Sequence, residues 1–288
     1  MDSEKDQKNQ EEQEKVDKEL ENSESQDKTK TKTHGEILRE QIIEGCETYD
    51  RSKSSILLSS FTAGLEIGFS FLMICSVFGF FQGKVAEETI FKLIALVYPI
   101  GFILVVLGQS ILFTEQTSLL TLPVLSNKRS VFSLFKIWGV VILGNLVGGI
   151  LIALTLSWIG PNLGLFDAQV IAKIGEHFAD YDLPTILVSA MLAGWLMGLL
   201  SWLVTSSKET TSEILIIYII TAVMGFTGLH HSIIGNIEIF AGMLVSPHID
   251  FLVYLKALIT ALIGNALGAT IFVALLKYRA FLFNVKMP

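Results

Sequence analysis

Residues 228–238 read GLHHSIIGNIE, which places two imidazoles, His230 and His231, an amide, Asn236, and a carboxylate, Glu238, between the apolar runs ILIIYIITAVMGF and IFAGMLV. A small anion in a low-dielectric passage is costly unless it meets fixed dipoles, a cation or a proton. A buried histidine can supply the proton: desolvation favours the neutral ring, and an approaching anion favours the charged one. The glycines Gly228 and Gly235 break any helix through the stretch. A second polar interruption, Thr114-Glu115-Gln116-Thr117-Ser118, follows another apolar run, and Glu66 is a carboxylate inside the first one. An intramembrane acid is a functional candidate by default; its partner would be His230, His231 or a neighbouring protomer.

Each residue also has a plainer role. His230 and His231 could tie broken backbone ends together, Thr114 could cap a half-helix, and Asn236 could satisfy loop carbonyls. Other chemistries are absent from the sequence. There is no Walker loop, the adjacent histidines lack metal-ligand spacing, and no nucleophile stands at a recognisable spacing from a histidine. No enzymatic activity, cofactor or metal is expected. Cys46 and Cys75 suggest no disulfide framework.

The elements that must hold these groups are apolar. The chain has 288 residues, 51% hydrophobic and 17% charged, with a mean hydropathy of +0.56, the profile of an integral membrane protein. Most of the charge lies before residue 53. Residues 1–35 are expected to be a disordered, charged cytoplasmic tail, without the pattern of a signal peptide. The net charge of −7 mostly describes that tail and gives no ground for a nucleic-acid partner. Residues 36–288 are expected to form one transmembrane channel domain.

A bilayer core about 30 Å thick takes roughly 20 apolar residues. Six stretches qualify: Ile56 to Phe81, Leu93 to Phe113, Val131 to Trp158, Pro184 to Val204, Ile214 to Leu244 and Phe251 to Leu276. The second breaks at its end and the fifth in its middle. Lipid cannot satisfy freed backbone groups, so breaks mark a pathway buried in protein. Arg51, Lys53, Lys128, Arg129, Lys208, Lys277 and Arg279 gather on one side, which predicts both termini in the cytoplasm and the protein in the plasma (inner) membrane.

A repeat runs through these spans. GNLVGG at Gly144 matches GNALGA at Gly264, an offset of 120 that lays Leu107–Thr117 on Thr227–Ile237, and AGLEIG at Ala63 echoes AGWLMG at Ala193. Three spans per unit invert the second copy. The expected fold is therefore an all-α membrane protein of six transmembrane helices in two inverted three-helix repeats, with helices two and five broken. The glycines read as helix contact faces. The two breaks meet near the midplane, where His231 and Thr114 could act as a proton relay.

YPIGFILVVLGQSILFT at Tyr98, AGWLMGLLSW at Ala193, GLHHS at Gly228 and the paired GNxxG segments resemble the formate/nitrite transporter family over residues 35–280. The resemblance implies an aquaporin-like fold, a homopentamer with one pore per protomer, and Thr114 and His231 as the loop threonine and central histidine. It also places Tyr98 and Phe102 at one apolar constriction and Met224 at the opposite one. Ile111, Gly194 and His230 depart from the family's acid, asparagine and glutamate, and HFADYDLP lacks its basic residue. The function expected is passage of small monovalent anions or their weak acids, of formate, nitrite or acetate size. A channel for neutral solutes or cations, and a non-conducting sensor or scaffold, are the alternatives; membrane lipid is the surrounding partner in each.

Overall fold

The computed structural model describes residues 11, 13–21 and 31–286, with side chains to 283. Its elements are helical: α1 (13–21), α2 (His34–Asp50), α3 (Lys53–Phe81), α4 (Glu87–Leu93), α5 (Pro99–Leu107), α6 (Phe113–Leu125), α7 (Val131–Asn162), α8 (Ala168–Ala179), α9 (Leu183–Ser206), α10 (Thr210–Thr227), α11 (Ser232–Val245), α12 (Phe251–Ala269) and α13 (Leu276–Lys286). A 3-10 turn at Ile94–Leu96 lies between α4 and α5, and a π turn at Thr270–Leu275 joins α12 to α13. Capping explains many of the starts. Ser52, Ser130, Asp167, Asp182 and Asp250 each accept a backbone N–H of the first turn.

Among the described residues, six segments are long and apolar enough to cross a membrane: Lys53–Phe81, Glu87–Leu107, Val131–Asn162, Leu183–Ser206, Thr210–Thr227 and Phe251–Phe283. The second starts earlier than its apolar run suggests. Glu87 and Glu88 occupy the first turn of α4, where carboxylates suit the helix dipole, and Lys92 sits over the Phe226 ring and donates to the Phe226 carbonyl at 2.8 Å. The fifth is interrupted only at 228–231, because Gly235 lies inside α11, where the Phe178 ring occupies the space of its missing Cβ.

Two copies of one packing unit are visible. Helix α3 packs on α7 and α9 on α12 through the glycines of the repeat. A Cβ on Gly148 would lie 2.2 Å from the Phe61 carbonyl oxygen, and one on Gly268 2.0 Å from that of Met191. The half-helices then cross over: α6 packs on α9 and α11 on α7, so each repeat supplies a wall for the other's break. Helix α8 buries Val170, Ile171, Ile174 and Phe178, spaced to face α11.

Part of the expected disordered tail is ordered. Residues 13–21 are helical, and Val16 and Leu20, one turn apart, are buried among Leu38, Leu122, Tyr278 and Phe281. Lys128 lies 3.5 Å from Asp17, and Gln13 bonds the Ser126 carbonyl and the Asn127 amide. These two apolar residues, sparse in a polar sequence, fill a seat that exists only once the bundle has formed. Most of the remaining 1–30 stretch lies outside the described residues.

Candidate functional site

Both breaks are built the same way. Helix α5 ends at Gly108 and turns through Gln109 at φ 57°; α10 ends at Gly228 at φ 67°. In each the residue after the left-handed position donates back five residues, Ser110 to Val105 at 3.0 Å and Leu229 to Met224 at 3.1 Å. An asparagine then holds each loop. Asn145 Oδ1 accepts from Phe113 N at 2.8 Å, and its Nδ2 donates to the carbonyls of Ile111 at 2.9 Å and Ser60 at 2.7 Å. Asn265 Oδ1 accepts from Ser232 N at 2.7 Å, and its Nδ2 donates to the carbonyls of His230 at 3.0 Å and Ala190 at 2.8 Å. Sequence reasoning read these GN segments as glycine contact faces and passed over the amide between them.

This geometry corrects the register of the repeat. Gln109 matches Gly228 and Phe113 matches Ser232, one residue short of the 120 offset taken from the asparagines. The difference lies in the spacing from half-helix start to asparagine, 32 residues in one copy and 33 in the other. Leu112 and His231 are therefore equivalent, each the N-cap of its half-helix. Thr114 lies two places inside α6 and is not its cap.

At the junction His231 and Thr114 are fully buried, and His231 Nε2 lies 2.6 Å from Thr114 Oγ1. The opposite ring nitrogen, Nδ1, accepts from Ile234 N at 3.4 Å, which makes Nε2–H the donor to the threonine. The α6 and α11 N-termini thus meet, and their partial positive charges converge on one dry point. The Phe102 ring stands edge-on to His231 at 5.1 Å and stacks on Tyr98 at 5.3 Å.

Two cavities approach this point. One of about 740 Å³ opens on the face carrying α2 and is lined by Val106, Leu107, Ile111, Glu115, Gln116 and Val204, with Glu40, Glu44, Glu47, Glu213, Lys32 and Arg51 nearer its mouth. The other, about 380 Å³, lies on the far side against Tyr98, Met224, Phe178, His230 and Glu238, with Glu88, Lys92 and His177 around it. Tyr98 and Met224 line the same cavity. Met224 therefore does not form an opposite constriction; Gly225 packs directly on the Tyr98 ring, which draws both residues to one mouth. The apolar lining of the first cavity comes from Val106, Leu107, Ile111 and Val204 instead.

Other candidates separate from the pair. His230 is tied, with Nδ1 2.8 Å from Ser189 Oγ and Nε2 3.1 Å from the Phe178 carbonyl, so it is a wall residue of the far cavity. Asn236 donates to the Leu146 carbonyl at 3.3 Å and accepts from Tyr254 at 2.7 Å; both ends of its amide join α11 to neighbouring helices. Glu66 meets neither histidine. A Cβ on Gly108 would lie 3.5 Å from its Oε1, and its Oε2 is buried without a partner, placing it beside the first break.

Among groups outside the spans, burial and then Glu47 and Glu40 push the Glu44 carboxyl above its ordinary value, and burial with Lys92 nearby lowers His177, which stacks on Phe91 at 3.9 Å. The Phe102 ring is the aromatic group packed edge-on against the histidine. Phe102→Leu is expected to lose about 1 kcal/mol of stability and to raise the passive proton leak of reconstituted vesicles; an unchanged leak would place the seal elsewhere.

Six spans, two crossed half-helices meeting at their N-termini and a cavity on each side of the meeting point define a membrane channel or carrier for small solutes. The family model for formate/nitrite transporters matches residues 35–279. The chain belongs to the formate/nitrite transporter family. It is 29% identical over 245 residues to the inner membrane protein YfdC of Escherichia coli, covering 82% of this chain and 74% of that one. It is 27% identical over 224 residues to the nitrite transporter NirC of Salmonella typhimurium, covering 76% and 80%. The solved structure of an FNT family ion channel superposes with a TM-score of 0.76 at 22% identity, over 85% of this chain and 98% of that one. A pentameric formate channel with formate bound gives 0.69 at 21%, over 80% and 98%.

Proposed function

We propose that this protein passes small monovalent anions together with a proton, as weak acids of formate size, and that His231 and Thr114 form the relay at the narrowest point. The observation that carries this reading is the 2.6 Å contact between His231 Nε2 and Thr114 Oγ1 where two helix N-termini converge. Positive helix ends favour the approaching anion, the imidazole exchanges the proton, and Phe102 keeps water away. The neighbour that is a pentameric formate channel supports a homopentamer with one pathway per protomer. The inner membrane protein YfdC as a relative supports an inner-membrane location, and the basic residues near the span ends support the α2 face in the cytoplasm.

Labelled formate uptake into proteoliposomes tests the reading: flux well above empty vesicles is expected, and none for formate, acetate or nitrite would remove it. A cation channel is the second reading, motivated by the five carboxylates of the larger cavity against two cations. A reversal potential that follows a potassium gradient would select it.

A further inference from the structure

Fixed carboxylates sit in the wrong places for a plain anion channel. Glu115 is 9% exposed on the wall of the larger cavity, one residue from Thr114. Glu238 is also 9% exposed, on the wall of the far cavity, and seven residues along α11 from His231, a rise of about 10 Å. Neither is in an ion pair among the described residues. Glu115 accepts from Gln116 Nε2 at 2.8 Å and from Ser201; no described side chain donates to Glu238. Gln116, equally buried and lining the same cavity, leaves its Oε1 without any donor. Where Glu115 and Gln116 adjoin, the wall therefore carries an acceptor that no described group satisfies.

A bare anion brings no donor, and two unpaired carboxylates would repel it. A protonated acid brings one. We propose that Glu115 and Glu238 are proton-loading stations, one on each side of the Thr114–His231 pair, which makes the pathway selective for weak acids over the anions of strong acids. The proposal rests on the weak-acid reading above and names the groups that enforce it. On entry the O–H bond of the Glu115 carboxylic acid breaks and one forms on the oxygen of the permeant anion. Glu115 is left as carboxylate and regains a proton from hydronium in the cavity. The neutral acid then meets the Thr114–His231 pair beside Phe102, where the imidazole exchanges the proton as the acid passes. On the far side it returns its proton to the Glu238 carboxylate, whose O–H bond then breaks to release that proton to water in the far cavity. One proton crosses with each anion, in either direction.

The charges facing each station fit this exchange. Around Glu115 they are Glu44, Glu40 and Glu47 from α2, Arg51 beyond it, Lys32 and Glu213; Lys32 is held by Glu40 at 2.6 Å. Around Glu238 they are Glu88 and Lys92 from α4, His177 from α8 and His230, with Tyr98 and Cys75 as its other titratable neighbours. No cation is fixed against either carboxylate, so a proton is the available counter-charge.

The test uses the full-length protein in proteoliposomes, with labelled acetate and nitrate as probes and a trapped pH dye. Wild type is expected to take up acetate with one proton per anion and to exclude nitrate. Glu115→Gln and Glu238→Gln keep size and hydrogen bonding. Each is expected to lower acetate uptake roughly 100-fold at pH 7, the lower end of the range for a positioned acid or base. At pH 5 bulk water supplies the neutral acid, and uptake should recover to within about twofold. A merely structural role would lower uptake at both pH values alike, and that result, or wild-type uptake at pH 7 in both variants, overturns the proposal. Nitrate passing as fast as acetate through wild type also overturns it while leaving the channel reading intact. Absence of all flux in wild type removes the channel reading itself.

Discussion

Replacing His231 with alanine is expected to lower formate uptake at neutral pH by about 100-fold, the lower bound for loss of a positioned acid–base group. The ring is fully buried and has both nitrogens engaged, one as acceptor for Ile234 N and one against Thr114 Oγ1. Its removal takes away the proposed proton carrier and one cap together, so a second variant is needed to divide the effects. His231→Asn offers a side-chain oxygen for Ile234 N, as asparagine does at many N-caps, but it cannot take up a proton. If relay is the function, asparagine and alanine are equally slow while asparagine unfolds at the higher temperature. Thr114→Val should be slow as well, with Thr114→Ser close to wild type. Uptake by His231→Asn at the wild-type rate would leave the histidine as a cap alone.

Much of this arrangement is legible in the sequence, because the strongest signals are covalent spacing and hydropathy. Span lengths and two polar interruptions point to the six crossings and both broken helices, and the GN repeat to glycine contact faces, but that these faces join α3 to α7 and α9 to α12 appears only in the fold. What spacing cannot encode is where two elements distant in sequence come into register. The one-residue difference between 113–145 and 232–265 is invisible until both loops close on their asparagines. It decides that His231 caps a helix and Thr114 does not. The side of the pathway on which Met224 falls depended on Gly225 admitting the Tyr98 ring, a contact across 127 positions of chain. Asn236 and His230 looked alike as polar residues in an apolar stretch. Only their partners, Tyr254 and Leu146 for one and Ser189 and Phe178 for the other, separate structural ties from groups free to meet a solute.

The asparagines should be as sensitive as the histidine. Asn265→Leu keeps the volume close to that of the native side chain and removes three hydrogen bonds. The Ala190 carbonyl retains its partner within α9, but Ser232 N and the His230 carbonyl lose a protein partner in a loop that lipid and the tight packing keep dry. Two buried unsatisfied groups at about 1–3 kcal/mol each make a loss of roughly 2–6 kcal/mol. Asn145→Leu should cost about as much, since Phe113 N and the Ile111 carbonyl are left in the same condition. Aspartate separates the two halves of the staple: Asn265→Asp retains the acceptor for Ser232 N and loses the donors, so its unfolding temperature should fall between wild type and leucine. The functional cost follows from position. Each staple fixes the backbone beside one member of the 2.6 Å pair, and a shift of 1 Å between proton-exchanging atoms is enough to cost about 100-fold in rate. Thermal unfolding in detergent and formate uptake, measured on the same preparations, are expected to fall together in both leucine variants. Full stability with full uptake in either one would mean that the break holds its shape without the amide, and that the two halves of the fold are kept open by packing alone.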